Sequence, residues 1–129
     1  MEFLLVILAV LSLAACDKPR GGSPVDAYVS FSRAVQRGDA RAAYALLSSR
    51  TQEKLAARTK EISAASGGAI KDDAAALAFS GAPRPDSLNE VKLISQAGDR
   101  ATLEVQAGGR TEQLTMLKEK SGWKVDLGD

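Results

Sequence analysis

The spacing of apolar residues changes once along the chain, at the segment 81–85, and this change constrains the fold more than any other feature. Between residue 24 and this segment, apolar side chains recur at the three- and four-residue spacing of helices. After it they alternate in short runs that glycine-containing pairs separate. The segment itself contains two prolines, which stop helical structure. Helices followed by a meander of antiparallel strands predict an α+β domain with the helices packed on one face of the sheet.

Four helices are predicted, each from a residue that can cap its first turn. Such a residue accepts a hydrogen bond from a backbone N–H group that the helix itself leaves unpaired. The predicted caps are, in chain order, Ser23, Asp39, Ser49, and either Asp72 or Asp73. We expect Gly38 to end the first helix and the second helix to run through Leu47.

Four strands are predicted after the segment 81–85, over 88–96, 100–107, 110–119 and 123–127. The pairs between them contain glycine and are typical of tight hairpin turns. In the last strand Trp123, Val125 and Leu127 alternate with polar residues, so these three are expected to face the core. Asp126 is expected on the opposite face, in a structural or solvated position.

Composition excludes several classes of function. The 129 residues include 17 Lys+Arg, 16 Asp+Glu, one Cys and no His. Balanced, interspersed charge argues against a nucleic-acid partner. The absence of His excludes imidazole-based catalysis, and a single Cys excludes an internal disulfide or a CxxC site. The adjacent Asp72 and Asp73 lack further oxygen ligands nearby, so we expect no metal and no cofactor.

An apolar run extends from Phe3 to Ala15 and is interrupted only by Ser12. As a helix it would span about 20 Å, whereas the hydrocarbon core of a bilayer is about 30 Å thick. Its length therefore favours the apolar region of a secretory signal peptide over a membrane span. The small residues Ala14 and Ala15 at its end suit cleavage by a signal peptidase.

The four residues Leu13-Ala14-Ala15-Cys16 resemble the lipobox of bacterial lipoproteins. The resemblance implies a signal peptide over 1–15, cleavage between Ala15 and Cys16, and a diacylglycerol on the Cys16 thiol that attaches the protein to the bacterial cell membrane. Asp17 is similar to the residue that retains enterobacterial lipoproteins in the inner membrane. The polar segment 16–23 is then a lipidated tether of short reach, and the α+β domain covers 24–129.

Two short segments of the domain resemble the nuclear-transport-factor-2-like superfamily. They are RGD at 37–39 leading into YALLS at 44–48, and GWKVD at 122–126. The resemblance extends over about 24–127. Within the superfamily, the chain is most similar to small bacterial lipoproteins of unknown function. It implies a cone-shaped fold with a pocket between the first helix and a curved sheet, used in the superfamily by isomerases, dehydratases and ligand binders. The candidate pocket-lining residues are Tyr28, Tyr44 and Trp123.

No residue is assigned a catalytic role. An isomerase-like site needs a carboxylate base, but Glu104 and Asp126 both alternate with apolar neighbours. We therefore expect no carboxylate inside the cone. We predict a lipid-anchored, non-catalytic envelope protein that binds a protein or a small ligand. An accessory component of an envelope or secretion complex is the alternative, and an isomerase- or dehydratase-like enzyme is a third. The spacing of Arg33, Arg37 and Arg41 also fits either an anionic partner or a solvated face.

Overall fold

The computed structural model describes residues 22–80 and 86–128. It contains helices and a four-stranded antiparallel sheet, which confirms the α+β class. The elements are, in chain order, α1 (Pro24–Gln36), α2 (Ala40–Ala45), α3 (Ser49–Ala65), α4 (Ala74–Phe79), β1 (Leu88–Ala97), β2 (Arg100–Ala107), β3 (Arg110–Glu119) and β4 (Gly122–Asp126). The predicted signal peptide, the cleavage site at Ala15 and Cys16, and Asp17 lie outside the described residues.

Three of the predicted helix caps are confirmed. Ser23 Oγ accepts a 3.0 Å hydrogen bond from the N–H of Asp26. Asp39 and Asp73 each accept a 3.1 Å hydrogen bond from the backbone N–H three residues later, which settles the choice between Asp72 and Asp73. Gly38 follows α1 with φ of +74°, a conformation that glycine adopts without steric cost.

The chain between α2 and α3 departs from the prediction. α2 ends at Ala45, and Leu46 to Ser48 instead pair with the outer edge of β4. The Val125 N–H donates to the Leu46 carbonyl at 2.7 Å, and the Ser48 N–H donates to the Val125 carbonyl at 2.8 Å. Ser48 Oγ then accepts a 3.3 Å hydrogen bond from the N–H of Thr51, so the cap of α3 is Ser48 and not the predicted Ser49.

The sheet is an antiparallel meander in which each strand pairs with the next along the chain. Its register places Leu103 opposite Leu114 and Met116 opposite Val125, so apolar side chains meet on one face. β1 forms the edge of the sheet away from β4, and its pairing with β2 is irregular between Leu88 and Glu90 and again between Leu93 and Ser95.

The core lies between α1 and the sheet, since α1 packs against β1, β2 and β4. Its buried members are Ala27, Leu47, Ala101, Leu103, Val105, Met116, Trp123 and Val125. Leu127 was predicted to face the core, but it is 59% exposed, so this prediction is wrong. β4 ends at Asp126, and the Leu127 N–H donates a 3.1 Å hydrogen bond to Thr51 Oγ1, which ends the strand alternation.

Candidate functional site

Two adjoining clefts open between α1 and the sheet, and Ser32 and Leu88 line both. We call them the first and second clefts, with volumes of about 390 Å³ and 230 Å³. The first is bordered by α1 and the stretch 87–91 at the start of β1. The second is bordered by α1, β2 and the start of β3. The first cleft is within the size range of small-ligand pockets, and the second is smaller.

The first cleft combines an apolar wall with polar groups. Val25 and Val29 are one helical turn apart on α1 and line it together with Val91 of β1. Its polar lining includes one positive and one negative side chain, Arg33 and Glu90, together with the uncharged Ser32, Gln36, Ser87 and Asn89. This arrangement suits a ligand with an apolar body and an anionic or hydrogen-bonding end.

The second cleft contains a phenol among charged residues. Tyr28 is half-buried on α1, and its ring centroid lies 6.1 Å from that of Phe31. Burial, and to a lesser extent the negative charge of Glu112, raises the pKa of the Tyr28 phenol above its ordinary value of 10. Tyr28 is therefore protonated at neutral pH and can donate a hydrogen bond within the cleft, where Arg110 supplies a positive charge.

The three candidate pocket-lining residues do not lie together. Tyr28 lines the second cleft, whereas Tyr44 lines a more open cleft of about 640 Å³ bordered by α2, α3 and α4. The Tyr44 hydroxyl donates a 3.0 Å hydrogen bond to the Gln52 carbonyl, and burial raises its pKa. Trp123 is 4% exposed and belongs to the core.

A buried polar cluster links β4 to the start of α3. Asp126 is 4% exposed, and Ser48 Oγ donates to its Oδ1 at 2.7 Å. Arg50 Nε donates to the same oxygen at 2.7 Å, and a second Arg50 nitrogen contacts Oδ2. The Arg50 hydrogen bond is the main cause that lowers the pKa of Asp126 to about 2; burial opposes it and the Ser48 and Thr51 hydroxyls assist. At neutral pH this carboxylate is ionised and a poor proton acceptor.

Asp126 was expected on the face opposite the core, in a structural or solvated position, and the structure gives it the structural role. Asp126 lies opposite Thr115 and Val125 lies opposite Met116, so Asp126 does point away from the apolar core, as the alternation predicts. It is nevertheless buried because the first turn of α3 covers it. The sequence signal for this contact is the cap of α3. If Ser48 rather than Ser49 is taken as that cap, its hydroxyl is expected near the end of β4.

Arg33, Arg37 and Arg41, which are spaced four residues apart, do not lie on one helix, because α1 ends at Gln36. Arg33 lies in its last turn and lines the first cleft. Arg37 is the C-terminal cap and makes a 3.4 Å ion pair with Asp39. Arg41 is exposed on α2, a separate helix. Arg33 is therefore the member of the set that the structure connects with the α1–sheet clefts.

Within the described residues, no three His, Cys, Asp or Glu side chains are grouped so that they could hold a metal ion. None of the helices in 22–80 has the length and apolarity needed to cross a membrane. Comparison of the chain with models of protein families, with curated proteins and with solved structures finds no match in any of the three.

Proposed function

We propose that this chain is a lipid-anchored bacterial envelope protein whose domain binds a ligand between α1 and the sheet and catalyses no reaction. The domain is further proposed to be a member of the nuclear-transport-factor-2-like superfamily. The single observation that carries the binding proposal is the pair of clefts between α1 and the sheet, where that superfamily has its pocket.

The anchor is supported by the sequence. The apolar run 3–15 is too short to span a bilayer and is followed directly by Cys16, the only cysteine of the chain. Two or more acyl chains on one residue hold a protein stably at a membrane, whereas one gives marginal binding. A lipid on Cys16 would leave seven residues, Asp17 to Ser23, between the membrane surface and α1, a reach of roughly 15 Å.

The ligand proposed for the clefts is a small amphiphilic anion. Val25, Val29 and Val91 would contact its apolar part, and Arg33 would pair with its charged end. Tyr28 and Arg110 of the adjoining cleft supply further donors for a ligand that extends past Ser32.

A binding role without catalysis is supported by the state of the ionisable groups. General base catalysis near neutral pH needs a carboxylate whose pKa is raised by burial or by a like charge. The buried carboxylate of Asp126 has its pKa lowered to about 2, which is the opposite direction. It is held by Arg50 and Ser48 and does not line either α1–sheet cleft.

Native mass spectrometry of the full chain extracted from bacterial membranes tests this binding. The wild-type protein is expected to carry a non-covalent adduct of small-molecule mass. Val29→Trp fills the first cleft and should remove the adduct, while Arg33→Ala should lower its occupancy by about tenfold, as loss of one charge-assisted contact does. Arg58→Ala is the matched control, since Arg58 is exposed on α3 away from both clefts.

Two results would contradict the proposal. One is a wild-type protein without any adduct. The other is an adduct that survives Val29→Trp, because the ligand would then bind elsewhere. Circular dichroism on each variant checks that the helices and the sheet are retained.

A further inference from the structure

We propose that two copies of this chain pair antiparallel along β1, with Val91 of each copy at the twofold axis, and that each copy closes the first cleft of the other. The pairing goes beyond the ligand-binding function proposed above. The closure of the cleft rests on that function, because it adds a wall to the same site.

The two edges of the sheet are unequal. The outer edge of β4 is occupied by the stretch 46–48, which makes two backbone hydrogen bonds to Val125. β1 is ten residues long, and in the part of the chain that the structure describes no strand pairs with its outer side. A long edge strand presents unpaired N–H and C=O groups to which a further strand can bind. The irregularities between Leu88 and Glu90 and between Leu93 and Ser95 leave 90–93 as the longest regular stretch of that edge.

An apolar side chain of this stretch remains exposed on the side that faces α1. Val91 lies opposite Val105 and Leu93 lies opposite Leu103, so both project to the core face of the sheet. Leu93 is nevertheless 46% exposed. A strand added along β1 would cover Leu93 without any change in the fold.

The charges of β1 select one register for two identical strands. Glu90 and Lys92 project together on the opposite face, with 3.6 Å between their charged groups. A twofold axis at Glu90 or at Lys92 would place like charges opposite each other, which destabilises a sheet. An axis at Leu93 would place Lys92 opposite the partner's Ile94. An axis at Val91 places Glu90 opposite the partner's Lys92, and by symmetry this ion pair forms twice.

The Val91 register brings the second copy to the first cleft. In it the partner's Leu93 lies opposite Asn89, and both the partner's Val91 and the partner's Leu93 are on the side that faces α1. Asn89, Glu90 and Val91 line the first cleft. The partner's Leu93 therefore adds an apolar wall to a cleft that a single copy leaves open.

Sedimentation equilibrium of the full chain in a density-matched detergent tests the pairing. Wild type is expected to be in a monomer–dimer equilibrium. Lys92→Glu turns two attractive pairs into two repulsive ones and should raise the dimer dissociation constant about tenfold. Glu90→Lys should do the same, and the exchange of the two charges in one chain should restore the wild-type constant within about threefold. Lys120→Glu, the same charge change in the exposed turn before β4, should leave it unchanged.

A wild-type chain that stays monomeric, or a charge exchange that fails to restore dimers, would overturn the pairing. If Lys92→Glu abolishes dimers but keeps the full ligand adduct of wild type, the closure of the cleft is overturned. Charge-dependent dimers without any adduct in wild type would contradict the proposed ligand binding and leave the pairing supported.

Discussion

Ser48 Oγ and Asp126 Oδ1 are joined by a 2.7 Å hydrogen bond across 78 residues of sequence. The same Ser48 oxygen accepts the N–H of Thr51 and so caps α3. One hydroxyl therefore fixes the start of a helix and the end of the last strand at the same point. Arg50 also donates a hydrogen bond to Asp126, so folding stabilises the ionised form of this carboxyl group.

The stability of the protein is expected to depend on pH through Asp126. Its pKa is about 2 in the folded state, against an ordinary value of 3.8 for an aspartate in an unfolded chain. A lowered pKa contributes stability that is fully present above the unfolded value and is lost as the pH falls through the folded value. We expect the free energy of unfolding to fall by about 2 kcal/mol between pH 5 and pH 2 on this account. Urea unfolding followed by the fluorescence of the single tryptophan measures it.

Asp126→Asn removes the titrating group and should flatten this part of the pH profile. At neutral pH the variant should be less stable than wild type by about 2 kcal/mol, since Arg50 loses its charged partner. Asp72→Asn, at an exposed position, is the control and should retain the wild-type slope. An Asp126→Asn profile as steep as that of wild type would contradict the assignment.

Two neighbouring serines are expected to differ in their contribution to stability. Ser48→Ala removes the cap of α3 and a buried donor to Asp126, so a loss of about 2–3 kcal/mol is expected. Ser49→Ala removes a 2.8 Å hydrogen bond to Glu119 at the exposed surface and should cost less than about 1 kcal/mol. Chemical denaturation measures the free energy of unfolding of both variants. Equal losses in the two would contradict the assignment of Ser48 as the cap of α3.

Trp123 and Leu127 are also expected to contribute unequally. Trp123→Ala should destabilise the domain by about 3–5 kcal/mol, because the ring is buried in the core. Leu127→Ala should change the free energy of unfolding by less than about 0.5 kcal/mol, because Leu127 is exposed beyond the end of β4. Thermal unfolding followed by circular dichroism distinguishes them. A loss below about 1 kcal/mol for Trp123→Ala would show that its ring does not anchor the core.

Local patterns predicted the helices and strands well, because capping residues, glycine turns and apolar alternation act over a few residues. Ser23, Asp39 and Asp73 cap their helices as expected. The errors are at places that depend on distant parts of the chain. Leu46 and Leu47 leave α2 because they pair with β4, and α3 is capped by Ser48, which also binds Asp126, rather than by the predicted Ser49.

The candidate site was predicted less completely for the same reason. Tyr28 was predicted to line a pocket and lines the second cleft, whereas Val29 and Asn89 of the first cleft were not singled out from the sequence. The sequence pattern indicates which residues share a face of α1 or of β1. The lining of a cleft also depends on the angle at which α1 crosses the sheet. Periodicity alone does not give that angle.

The most direct test of the lipid-anchored account is the intact mass of the full-length protein expressed in bacteria and extracted from their membranes. The account predicts a chain that begins at Cys16 and carries at least a diacylglycerol on that residue. Cys16→Ser should abolish both the lipid and the cleavage by this route. An unmodified Cys16, or an N-terminus at any other residue, would contradict the anchor and with it the proposed location at the membrane.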